Sequence, residues 1–208
     1  MRHQTNPIWG RLRTLSVSVA GFLVHSNLLI SIAATSVAFS TVRVLELPLD
    51  PIPLFIVFAA TLFVYSLNRI TDIEEDETNV PGRAAFTERY GGLLFAVGIV
   101  LYLAVISGAV WFGIRGAPFL VLPAVVAGLY SLLRVKRLLL VKNLIVGVSW
   151  GIIPLGVGVY YGIGLTTGIV VLSGFFTIML TVAAAVFDIK DIEGDREEGI
   201  RTVPIVYS

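Results

Sequence analysis

The chain has 208 residues, of which 56% are hydrophobic and only 14% charged, and its mean hydropathy is +0.90. A soluble domain carries about 45–50% apolar and 25% charged residues, so the composition excludes a water-soluble globule and describes an integral membrane protein. A net charge of +1 gives no broad basic field for nucleic acid, and the lack of cysteine excludes disulfides, thiolate zinc sites and a cysteine nucleophile.

A polar, basic N-terminus of about residues 1–15 leads into a long apolar segment with no clear small-residue cleavage site. It reads as a retained first span rather than a signal peptide. A membrane helix needs about 20 mostly apolar residues, and six stretches qualify: about 20–42, 51–67, 93–114, 117–133, 143–163 and 168–187. Pro51-Ile52-Pro53 opens the second, Gly113 to Pro118 parts the third from the fourth, and Gly162 to Gly168 parts the fifth from the sixth. With no long linker, the expectation is an all-α, polytopic membrane helical bundle forming one domain over residues 1–208. His25 and Asn27 bring polar groups into the first span, either as internal hydrogen-bonding groups or as a cavity lining.

Charge sets the expected orientation. With the N-terminus, the 68–92 loop, the 134–142 loop and the 188–201 segment on one side, 13 of the 15 basic residues lie there, leaving Arg43 and Arg115 opposite. The positive-inside rule makes the rich side cytoplasmic, so a multi-pass protein of the cell membrane is expected, with its N-terminus and acidic loops in the cytoplasm. Of the 14 acids, only Glu46 and Asp50 lie on the outer side; six fall between Asp72 and Glu88 and six between Asp188 and Glu198.

These two clusters carry the functional signal. Asn68, Asp72 and Asp76 recur at i, i+4 and i+8, and Asp188, Asp191 and Asp195 at i, i+3 and i+7, so each set shares one face of a continuing helix. Like charges one turn apart repel unless cations lie between them. Oxygen donors without His or Cys suit Mg²⁺, Mn²⁺ or Ca²⁺ rather than zinc. An EF-hand fails, because loop position 6 from Asp72 is Glu77 and position 12 is Arg83. One such cluster is easily a solvated helix end. Two of the same design on one side point to a diphosphate held through metal ions. Among the neighbouring basic residues, Arg83 and Lys136 or Lys142 are candidates for direct diphosphate contact, and Tyr130 and Ser131 could line a cavity.

At these residues the sequence resembles the UbiA-type membrane prenyltransferase superfamily, which carries Asn-x3-Asp-x3-Asp after its second helix and Asp-x3-Asp after its sixth. The matching positions are Asn68, Asp72 and Asp76, then Asp191 and Asp195 with Gly199, Arg201 and Thr202. Asn79-x-Pro81-x-Arg83 resembles the continuation of the first motif. Tyr130-Ser131, Lys136 and Lys142-Asn143, then Gly147 and Pro154-Leu155, resemble the connection of the fourth helix to the fifth.

The resemblance implies transfer of an isoprenyl chain from a polyprenyl diphosphate to a lipophilic, often aromatic, acceptor. It implies Mg²⁺ at Asn68, Asp72, Asp191 and Asp195, with Asp76 and Asp188 supporting or joining the ligand shell. Asp72, Asp76, Asp191 and Asp195 would be the catalytic carboxylates, and Arg83, Tyr130, Lys136, Lys142 and Arg201 the substrate contacts. Two departures stand out: Arg83-Ala84 replaces the family's frequent Arg-Pro, and the family usually has nine helices where this chain stops after the sixth. A truncated or divergent member is therefore expected, with little or no transferase activity unless it oligomerises or meets a complementing chain. The rival reading is a cation transporter or channel with an acidic mouth; against it, the acids gather at one membrane face rather than near the midplane, where transporter sites usually lie.

Overall fold

The computed structural model describes residues 19–132, 141–197, 199 and 202–207, with ten α-helices and no strand among them. The chain begins with α1 (Val19–His25) and α2 (Leu28–Val44), which meet at a 68° bend. Asn27 makes the bend, with φ at 63° in the left-handed region. Asn is one of the few residues that adopts this conformation readily. The expected first span is therefore broken.

Asp50 starts α3 (Pro51–Thr71) by accepting the Ile52 N–H at 2.9 Å. Pro51 at the first helical position lacks only a donor that would have no partner there. The 68–92 stretch, expected as a connecting loop, is instead helical: the end of α3, then α4 (Ile73–Asn79) and the start of α5 (Pro81–Trp111). Pro81 ends α4 and opens α5, since the residue before a proline is pushed to extended backbone, and Val80 has φ −146°. At about 1.5 Å per residue α5 runs about 46 Å, longer than the roughly 30 Å hydrocarbon layer, so its polar first turns extend past the apolar part.

A 3₁₀ turn (Ala117–Val121) precedes α6 (Leu122–Leu132), and α7 (Val141–Tyr161) and α8 (Thr167–Phe187) follow. Short α9 (Ile192–Glu197) and α10 (Val203–Tyr207) follow α8. Among the described residues four helices, α3, α5, α7 and α8, are long and apolar enough to cross a membrane, and the bent α1–α2 pair brings the number to five if it is taken as one span. The fourth expected span is a shorter apolar helix, Ala117–Gly128. Large side chains such as Trp111, Phe112, Ile178 and Phe187 lie outward and exposed, an arrangement suited to lipid. The chain forms a polytopic all-α membrane bundle.

Its core joins α2 to α7 through Ala34, Val37, Ala38 and Val42 against Trp150, Ile153 and Val157. The most extensive helix contact is α7 on α8. Gly147 and Gly151 allow it: a Cβ on Gly147 would lie 2.4 Å from the Thr177 carbonyl oxygen, and one on Gly151 would lie 2.8 Å from that of Ser173. Small residues let membrane helices approach this closely. Gly147→Ala is expected to destabilise the bundle by about 1–3 kcal/mol through overpacking, read as a lowered melting temperature in detergent. An unchanged melt would mean that α7 and α8 separate freely.

Candidate active site

The first motif lies where α3 gives way to α4. Asp72 leaves helical geometry, yet its N–H bonds the Asn68 carbonyl at 2.9 Å and the Asp76 N–H bonds the Asp72 carbonyl at 3.0 Å. The i, i+4, i+8 ladder therefore survives the junction. Asp76 is only 2% exposed, and its carboxylate is taken by two arginines. Arg83 forks onto both oxygens, with Nε to Oδ2 at 2.7 Å and Nη2 to Oδ1, while Arg69 Nη1 reaches Oδ2 at 3.4 Å. Such a bidentate pair fixes geometry as well as charge. Arg83, expected to face a diphosphate, thus spans the Pro81 break and ties α5 to the motif.

Arg69 extends this network to the bend between α1 and α2. Its Nε donates to Asn27 Oδ1 at 3.4 Å, and Asn27 Nδ2 donates to Ser66 Oγ at 3.5 Å, both long contacts. His25, Asn27, Ser66, Arg69 and Thr87 line a small cleft there, where His25 Nδ1 has no hydrogen-bond partner among the described residues. The two polar residues of the first span therefore serve both expected roles: Asn27 is hydrogen-bonded internally, and both line a cavity.

The second motif begins at the end of α8. Asp188 is 2% exposed and Asp195, on α9, 0%. Lys142, in the first turn of α7, lies between them, with Nζ at 3.2 Å from Asp188 Oδ1 and 3.1 Å from Asp195 Oδ1. Beside it, Asn143 donates Nδ2 to Asp188 Oδ2 at 2.8 Å. Asp191 begins the turn into α9, and its carbonyl accepts the Asp195 N–H at 2.8 Å. Lys136 and Arg201 lie outside the described residues, as does the Tyr130 side chain, although its backbone is in α6.

The motifs meet through α4 and α9. Gly194 packs against the Asn79 side chain, whose Oδ1 would lie 2.3 Å from a Cβ at that position. Burial, with Asp188 and Glu75 nearby, pushes the Asp195 carboxyl from 3.8 up to about 6, although Lys142 opposes the shift. The folded state then holds this proton more tightly than the unfolded chain. In chelator, the stability this group contributes is full below pH 3.8 and is lost as pH rises through about 6. Asp195→Asn is expected to flatten that part of the melting-temperature profile between pH 4 and 7; a profile identical to wild type would assign the dependence to another group.

Among the described residues, no three His, Cys, Asp or Glu side chains converge closely enough to hold a metal ion by themselves. The donor set still fits a hard cation. It consists of oxygens, and two buried acceptors at this end, Asn143 Oδ1 and Thr202 Oγ1, have no hydrogen-bond partner among the described residues. Sequence reasoning singled out Lys142 but gave no role to Arg69 or Glu75 and no separate role to Asn143. The only signals for them were an arginine one residue after Asn68, an acid inside the first cluster and an amide opening an apolar span.

A helical membrane protein that gathers two acidic motifs at one end of its bundle is the class these features define. The chain belongs to the UbiA prenyltransferase family, which matches residues 15–208. It is similar to the digeranylgeranylglyceryl phosphate synthase of Sulfolobus acidocaldarius, at 31% identity over 172 residues covering 76% of this chain and 57% of that protein. The protein of that name from Methanothermobacter thermautotrophicus is 28% identical over 163 residues, covering 73% and 53%. That from Methanobrevibacter smithii is 29% identical over 185 residues, covering 82% and 64%. The chain thus spans between about half and two-thirds of the length of these relatives. No solved structure matches it.

Proposed function

We propose that the chain carries the diphosphate-binding half of a prenyltransferase site, which transfers an isoprenyl group from a polyprenyl diphosphate to a lipophilic acceptor. The observation that carries this reading is the packing of α4 on α9, which brings two acidic motifs together at the mouth of an apolar bundle. Asn68, Asp72, Asp191 and Asp195 would hold a divalent cation, Mg²⁺ by preference, with Asp188 in support. Bound there, the cation supplies neutralisation of the charge that develops on the leaving diphosphate. Arg83 and Arg69 hold Asp76 and so keep the first motif in register, and Lys142 is within reach of the second motif to meet a phosphate oxygen. As the allylic C–O bond breaks, diphosphate leaves with the electron pair. The acceptor oxygen then bonds the allylic carbon and gives up its proton. The apolar helices keep water from the allylic cation so formed.

The relatives' name favours a glyceryl phosphate already bearing one isoprenyl chain over an aromatic acceptor. Membranes containing the chain, given labelled geranylgeranyl diphosphate and Mg²⁺, should release diphosphate and label the glyceryl phosphate acceptor. Labelling of an aromatic acceptor alone would correct the acceptor, and ion flux without any transfer would favour the transporter reading. The proposed orientation puts the acidic motifs in the cytoplasm. A cysteine placed in the 73–79 segment should resist an impermeant thiol reagent in intact cells and react after lysis; labelling in intact cells would reverse the topology.

A further inference from the structure

Asn143 offers a feature that the two acidic motifs do not explain. It is 1% exposed, and Nδ2 donates to Asp188 Oδ2, but Oδ1 is buried with no partner among the described residues. The amide cannot be turned over to remove the problem, because an ionised Asp188 only accepts. Both heteroatoms sit on one carbon, so Oδ1 lies close to the amide nitrogen that holds Asp188, at the end of the bundle where Lys142 and Asp195 also meet. A buried acceptor without a donor is rare in folded proteins. Asp188 fixes the amide's orientation, as outer partners fix ligands around metals.

Resting on the reading of this cluster as a cation–diphosphate site, we propose that Asn143 is a further ligand of that site, its side-chain carbonyl giving the cation an oxygen donor. An amide oxygen is a neutral, hard donor of the kind that Mg²⁺ and Mn²⁺ accept. It adds a ligand without adding another negative charge to the carboxylates already there. Its position at the start of α7, next to Lys142, would let one helix turn present both a cation ligand and a diphosphate-facing ammonium.

The test is Mn²⁺ binding to the purified chain in detergent, followed by electron paramagnetic resonance with inorganic diphosphate present. Asn143→Leu is expected to weaken Mn²⁺ binding by about 10–100-fold. Asn143→Asp, which keeps an oxygen donor, should gain at least as much melting temperature from Mn²⁺ as the wild type does. A folded Asn143→Leu variant with wild-type Mn²⁺ affinity overturns the proposal and leaves the residue a structural support for Asp188. Where the Leu variant does not fold, a smaller Mn²⁺ shift in the Asp variant than in wild type overturns it as well. Asp191→Asn separates the two levels. If it leaves Mn²⁺ affinity unchanged, or wild type binds none, the site reading itself fails; if it weakens binding while Asn143→Leu does not, only the role of Asn143 fails.

Discussion

Asp72→Asn and Asp191→Asn are each expected to lower Mg²⁺-dependent diphosphate release by about 10²–10³-fold, the scale set by removing one preorganised stabiliser of developing charge. The fold should persist. Each substitution takes one carboxylate from a like-charged cluster and so relieves repulsion, and melting temperature in chelator should hold or rise. Asn keeps an oxygen donor and nearly the same volume, so a lost rate with an unchanged melt points to charge rather than packing. Wild-type turnover in both variants, or full turnover in excess chelator, would remove the cation from the mechanism.

Lys142→Met should act in the opposite way, on stability first. Lys142 has a side chain 18% exposed, set between the carboxylates of Asp188 and Asp195, which are 3% and 0% exposed. Removing it leaves two buried charges facing each other. Breaking a buried pair in this manner costs about 3–5 kcal/mol, and Met retains most of the apolar stem, so the loss is electrostatic. The melt should fall in chelator and recover in part with Mg²⁺, which can replace the ammonium between the carboxylates. An unaltered melt in chelator would show that solvent already screens the pair.

The sites most legible in the sequence were those whose geometry is local. Asp72 and Asp76, or Asp191 and Asp195, stand one helical turn apart wherever the surrounding chain is helical, so spacing alone exposed them. Apolar length likewise revealed the spans, because the bilayer imposes a single dimension. The break at Asn27 was hidden, since neither proline nor a glycine pair marks it and a left-handed asparagine looks like any other. The 68–92 segment reads as a loop because its charges suppress the apolar signal, although its glutamates and alanines favour a helix. Pairings across distance left no periodic trace. Arg83 meets Asp76 from beyond a proline break, and Asn143 meets Asp188 from 45 residues away, so only the folded chain shows them.

The packing of α4 on α9 has a consequence for the order in which the protein is made. Asp72 and Asp191 are 119 residues apart (191 − 72 = 119). At roughly 5–20 residues per second, a ribosome takes about 6–24 s to pass from one to the other. During that interval the first motif must exist without the second, and its buried acid is safe because Arg69 and Arg83 lie seven residues to either side of Asp76. The second motif has no such local partners in its described contacts; its counter-charge, Lys142, is 46 residues ahead of Asp188 (188 − 142 = 46) and already in place when Asp188 emerges. Each acidic motif thus meets a cation made before it or with it. The first motif can wait with Asp76 already matched, and it meets the second only once α9 has emerged.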